Sequence, residues 1–232
     1  MGLFLGESFI KLSNNSHHFQ TRLNETSEPT PTPTPTPTLK FGDRIDNKAT
    51  VVGTFESSDL GTLMYAVLDA QYRGNKIRLS SDLYEIDTVL PNYETKDEVL
   101  AAKESATYNT DNILTNYSDI ETEAFTYCRN IEPLNFNGKK YNCQLPNAYE
   151  LQQIFNMKTE LDEWDSTAET NSTKKLSNWG FGSRYPDVWS SNEQNVKGNG
   201  YPWELSSDGS WLTGSRRIAI GVVPIIEIPI QK

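Results

Sequence analysis

Gln144-Leu145-Pro146-Asn147-Ala148-Tyr149-Glu150-Leu151 and, later in the chain, Val188-Trp189-Ser190-Ser191-Asn192-Glu193 are the two stretches on which the fold of this protein turns. The first reads as a helix start. Asn147 stands where an N-cap accepts the free amides of a first turn, and Glu150 occupies the N3 position that completes a capping box. Leu151, Ile154 and Phe155 then fall on one stripe of the helix. The second stretch lies in a different texture: all five tryptophans (Trp164, Trp179, Trp189, Trp203 and Trp211) follow residue 163, among Gly, Asn and Ser with little helical period. Short strands joined by long ordered loops are expected there.

Working back toward the N-terminus, Thr95 and Glu98 form another capping box and predict a helix from Lys96. Ile113, Leu114, Tyr117, Ile120, Ala124, Phe125 and Cys128 keep near-helical spacing and predict one helix over Asn112 to Arg129. Ala49 to Phe55 and Leu63 to Ala70 read as strands joined by the turn-rich Glu56 to Gly61, with Lys76 to Leu79 as a possible third. Asn137-Gly138, flanked by Leu134, Phe136 and Tyr141, is a hairpin signal. Ile218 to Ile230 is β-branched and apolar, but Pro224 and Pro229 each lack an amide donor, which predicts a terminal edge strand or one with a bulge.

Pro29 to Thr38 is five consecutive Pro-Thr pairs, a repeat that excludes helix and inner strand and favours polyproline II. At about 3.1 Å per residue it would make a spacer of about 30 Å. The chain therefore divides into residues 1–28, a 29–38 stalk and a 39–232 head. Before the stalk, Leu3, Phe4, Leu5, Phe9 and Ile10 are too few for a core. They read either as a disordered leader or as a peptide docking on a larger assembly. No export or lipid signal is expected at Met1 to Glu7, which has no basic run before its short apolar stretch and no Ser or Thr at position 6.

The 232 residues carry 21 basic and 31 acidic side chains, a formal charge of -10, which argues against nucleic acid or anionic lipid as a partner. No run reaches the roughly 18 to 20 apolar residues of a membrane span. Both histidines, His17 and His18, precede the stalk, so the head has no imidazole for general base catalysis, a nucleophilic triad or zinc. Phosphate-cradling loops, GxSxG and HExxH are absent, and Gly180-Phe181-Gly182 and Gly198-Asn199-Gly200 are only fragments of a dinucleotide fingerprint. Glu160, Asp162, Glu163 and Asp165 read as a solvated helix end without calcium-loop spacing. Neither an enzyme nor a cofactor or metal site is expected. Cys128 and Cys143 are two ordinary thiols or one short-loop disulfide, and spacing does not choose. The tryptophans read mainly as core, with Trp211, after the turn-like Asp208-Gly209, the best placed to stack on a ligand.

In order along the chain, Asn109 to Leu114, Ala124 to Cys128, the Leu-Pro-x-x-x-Glu-Leu helix start, the Trp-Ser-Ser-x-Glu segment and the Trp203 and Trp211 pair before an apolar strand resemble the C-type-lectin-like domains of bacterial surface proteins and phage fibres. That family includes the variable proteins of diversity-generating retroelements. The opening Gly-Leu-Phe-Leu-Gly-Glu is similar to the start of tail and head-fibre proteins of crAss-like gut bacteriophages. The resemblance covers about residues 41–232 and implies an α+β fold in which N- and C-terminal strands pair, two or three helices pack on small antiparallel sheets, and long loops present a ligand face. It implies a displayed surface between Trp189 and Arg217, with Asn192, Gln194, Asn195, Lys197, Asn199, Tyr201, Trp211, Thr213 and Arg216 exposed. Only Glu132-Pro133-Leu134 stands in for the Glu-Pro-Asn and Trp-Asn-Asp motifs of calcium-dependent lectins, so no calcium is implied. The same resemblance implies a virion-surface fibre, dimeric or trimeric, anchored through residues 3–10 to capsid or tail proteins and touching host glycan, mucus or a surface protein. The alternative is a capsid decoration protein that binds no ligand.

Overall fold

The computed structural model describes residues 39–73, 76–79, 92–116, 122–157, 187–196, 199–206, 208–215 and 217–230. The chain divides into two units, Met1–Pro37 and Thr38–Lys232, and every described residue belongs to the second. The proposed anchor, the Pro-Thr repeat, Trp164, Trp179 and the acidic Glu160 to Asp165 run lie outside the described residues.

In chain order the elements are β1 (Arg44–Ile45), β2 (Ala49–Ser57), β3 (Gly61–Leu68), β4 (Ile77–Arg78), β5 (Asn92–Tyr93), α1 (Lys96–Ala102), α2 (Ala106–Asn116), α3 (Glu123–Asn130), β6 (Leu134–Phe136), β7 (Lys139–Tyr141) and α4 (Ala148–Asn156). They are followed by β8 (Asp187–Val196), β9 (Asn199–Ser206), β10 (Trp211–Thr213), β11 (Ala219–Ile220) and β12 (Ile225–Pro229). The architecture is α+β, with small, mostly antiparallel sheets and four helices among the described residues.

The first sheet has the order β1-β2-β3-β12, so the head's last strand lies beside its first hairpin, with Ile226 opposite Ala66 and Ile228 opposite Met64. Alternation along β3 sends Leu63, Tyr65 and Val67 into one apolar cluster and Met64, Ala66 and Leu68 into another. Both faces of this sheet are therefore covered. β12 forms the edge, as its two prolines require, with Pro224 before the strand and Pro229 at its end. Ile225 and Ile226 are fully buried on opposite faces, each contributing about 1.5 to 3 kcal/mol.

A second sheet runs β10-β9-β8-β5, antiparallel except for the parallel pairing of β5 with β8, and β8 carries a bulge between Trp189 and Glu193. Short β4–β11 and β6–β7 pairs complete the strands. The β6–β7 turn is Asn137-Gly138, with φ of 50° and 76°, the left-handed pair that a tight primed hairpin needs.

Both capping boxes form. Thr95 and Glu98 close the start of α1, and Asn147 and Glu150 close the start of α4. The helix expected over Asn112 to Arg129 is instead two. α2 begins six residues earlier, at Ala106, and α3 begins at Glu123, after its N-cap Thr122. The early start has a long-range cause: Glu227 of β12 accepts the Ala106 amide at 2.7 Å, the Thr107 amide at 2.8 Å and the Ser105 hydroxyl at 2.8 Å. An acidic group at a helix start satisfies free amides and favours the dipole. At the other end of α2, the Asn116 side chain donates to the Asn112 carbonyl at 2.9 Å. Ile113 of α2 and Ala124, Phe125 and Cys128 of α3 still enter one cluster, which explains why the apolar period runs across the break.

Candidate ligand-binding face

The opening stretches meet. Gln144 and Ile225 exchange backbone bonds of 2.8 and 3.1 Å, which seats the approach to α4 on the strand that closes the first sheet. At the helix start, the Glu150 amide donates to Asn147 Oδ1 at 2.7 Å and the Asn147 amide to Glu150 Oε2 at 3.0 Å. The Ala148 amide remains, and it donates to Asn192 Oδ1 at 2.7 Å. Beside it the Ser191 amide donates to the Pro146 carbonyl at 2.8 Å. The Ser-Ser-Asn segment of β8 is thus the far half of the α4 cap, buried at the centre of the head.

This overturns the expectation that Asn192 is displayed: it is 2% exposed, and its side chain is committed to a helix amide that would otherwise have no partner. Gln194 is half-buried, and its Nε2 donates to the Glu94 carbonyl at 2.9 Å, joining β8 to the entrance of α1. Trp211 is half-buried as well. Its indole Nε1 donates to Gln152 Oε1 of α4 at 2.7 Å, and its ring meets Trp203 edge-on with centroids 6.4 Å apart. A tryptophan held at edge and face is an internal brace, not a free stacking plate. Trp189, with its Nε1 donating to the Ile77 carbonyl at 2.8 Å, and Trp203 are both core.

Of the expected surface, Tyr201 and Thr213 are exposed. Asn195 and Asn199 lie in the β8–β9 hairpin, where Asn195 pairs with Gly200 and Asn199 with Val196. Lys197 and Arg216 lie outside the described residues. Leu212, 48% exposed, stands opposite Glu204 and so points to the other side of the β9–β10 ladder from Thr213 and from Tyr201, which is 40% exposed. The sequence carried a signal for Leu212, since a neighbour of an inward tryptophan on a strand points outward.

On the side of the ladder where Leu212 points, Glu204 of β9 is 5% exposed, its Oε1 without a hydrogen-bond partner and its carboxyl pushed up to about 8 by burial and then by Asp187. Gly214 is what makes room for it, because a Cβ there would run into the Glu204 carboxylate. Gly209, at φ +87°, turns the chain into β10 so closely that a Cβ would lie 2.8 Å from the Phe155 ring.

Cys128 and Cys143 are free thiols, both buried, with burial pushing Cys128 well up and Cys143 to about 12. Among the described residues no three side chains of metal-ligating type come together. No family model, no curated protein and no solved structure matches this chain.

Proposed function

We propose that this protein is a bacteriophage virion fibre: its N-terminal segment anchors to capsid or tail proteins, the Pro-Thr repeat is the stalk, and the head is a C-type-lectin-like domain displayed on the virion surface. The observation that carries the reading is the joint between the two opening stretches, where Asn192 of β8 caps α4 and Gln144 pairs with β12. That joint braces the β9–β10 ladder, on which Tyr201 and Thr213 are turned to solvent. An exposed tyrosine on the same side of the β9–β10 ladder as a hydroxyl side chain suits weak contact with host glycan, mucus or a surface protein. Many copies on one particle would raise the effective affinity of such a site.

The test is immunogold labelling of purified particles with an antibody against residues 40–232, together with deletion of Gly2 to Leu12. Labelled particles, and loss of incorporation with an intact head, are the expected results. Unlabelled particles, or normal incorporation of the deletion, would discard the reading. A decoration protein that binds nothing is the second reading, favoured by the internal duties of Asn192, Gln194 and Trp211. Tyr201→Ala with Thr213→Ala separates the two, since only the adhesin loses attachment to host cells while keeping its melting temperature.

A further inference from the structure

Where α2 and α4 start, Glu227 of β12 and Glu150 of α4 lie within hydrogen-bond reach of each other, away from water. Glu227 is well supplied with donors. Its Oε1 accepts the Ala106 amide at 2.7 Å, and its Oε2 accepts the Thr107 amide and the Ser105 hydroxyl, each at 2.8 Å, and the Thr107 hydroxyl as well. Donors on both oxygens, at the positive end of a helix, favour the ionised form.

Glu150 is supplied differently. Its Oε2 accepts the Asn147 amide at 3.0 Å, but its Oε1, fully buried, meets no donor. An ionised oxygen there would be a buried charge without a hydrogen bond, set against a second carboxylate. The other groups that face Glu150 do not compensate it. Asp59, from the β2–β3 turn, is acidic and accepts the Ser105 amide at 2.9 Å, while Tyr65 of β3 and Tyr149 of α4 are neutral phenols. Glu104, beside Asp59, adds a further acid and bonds Tyr93 of β5. Of the cations nearby, Lys103 Nζ lies over the Tyr149 ring, 4.9 Å from its centroid, and Arg129 donates to Asp111 and Gln144. Burial, with Glu227 next, accordingly pushes the Glu150 carboxyl well up.

We propose that Glu150 and Glu227 share one proton, carried on Glu150 Oε1 and donated to the Glu227 carboxylate, and that this proton is a pH-sensitive latch holding the starts of α2 and α4 on β12. Ionisation of Glu150 releases the proton to solvent and leaves two like charges in contact in a medium that screens them poorly. Glu227 is then driven off, and the first turn of α2 loses its cap. The unfolded chain gives up this proton near the ordinary value of 4.5 and the folded head only well above it, so the latch is fully present below 4.5 and is lost as pH rises. The inference is independent of virion attachment and of the β9–β10 face.

Its test follows the side-chain carboxyl resonances of the full chain, labelled with 13C-glutamate, as pH is raised. Near neutral pH Glu150 should stand at the protonated position and Glu227 at the ionised one. As Glu150 moves to the ionised position, the Ala106 and Thr107 amides should lose protection against hydrogen exchange. Glu150→Gln keeps a donor toward Glu227 and cannot ionise. Compared in a Glu204→Gln background, which removes the other raised carboxyl, the chain that retains Glu150 should lose more melting temperature between about pH 6 and 9 than the chain with Glu150→Gln. An ionised Glu150 in the folded head at neutral pH would overturn the proposal, as would a proton found on Glu227 instead, or equal losses in the two chains. Should the double variant not fold, the resonances of the unaltered chain decide alone.

Discussion

Glu204 is a carboxyl group in the wrong solvent, and its behaviour with pH follows from that. In the unfolded chain it ionises near its ordinary value of 4.5, and in the folded head only near 8, because burial and then Asp187 disfavour its charge. Between those values the unfolded state has released a proton that the native state keeps. The stabilising protonated form is therefore fully present below 4.5, and stability falls as pH rises toward 8, by at most about 1.4 kcal/mol per pH unit. Glu204→Gln keeps the shape without the proton. Urea unfolding at several pH values from 5 to 8 should show the variant gaining on the wild type as pH rises, and parallel profiles would contradict the assignment. Glu150 belongs with Glu204, fully buried, its carboxyl pushed well up by burial and then by Glu227. At this scale the sequence is only half informative. That Glu150 belongs to a capping box is written in the Asn147-x-x-Glu150 spacing, whereas its meeting with Glu227 depends on where β12 lies.

At the scale of elements, the legible parts were those whose causes are local. Both capping boxes, the Asn137-Gly138 hairpin and the β2–β3 pair each rest on residues within one turn or one strand of each other. The misread helix over Asn112 to Arg129 shows the limit. Its true beginning at Ala106 depends on Glu227, a residue 121 positions away, and no window of sequence around α2 contains that cap. Asn192 fails for the same reason: a polar residue in a Trp-rich segment resembles a displayed ligand contact until its helix partner at Ala148 is in place. These long-range caps predict two losses. Asn192→Ala leaves the Ala148 amide buried without a partner and should cost about 1 to 3 kcal/mol. Glu227→Ala strips several donors at once and should cost at least about 2 kcal/mol, with α2 frayed at its first turn. Thermal unfolding with helical circular dichroism checks both, and an unchanged melting temperature in either variant would remove the cap from the account of the fold.

For the whole molecule, the decisive contact is the return of the last strand to the first hairpin. β12 inserts Ile225 into the cluster of Phe55, Tyr65 and Leu151, and Ile226 and Ile228 into that of Ile45, Met64 and Leu134. It pairs with β3 over five residues, bonds Gln144 ahead of α4, and caps α2 through Glu227. One segment therefore ties together the first sheet, α2 and the α4 approach. Thr38–Lys232 is a compact unit by itself, so residues 39–232 should fold alone with a single cooperative transition at the full chain's melting temperature. Ending the chain at Pro224 instead removes three buried isoleucines, each worth about 2 to 5 kcal/mol when truncated, against a total stability of about 5 to 15 kcal/mol for a domain. That shorter chain should not reach a native state at all. Calorimetry of the two fragments beside the full protein decides the matter: a cooperative transition in the fragment ending at Pro224 would show that β12 is an accessory, and a collapsed one in residues 39–232 would move part of the core to the N-terminal segment.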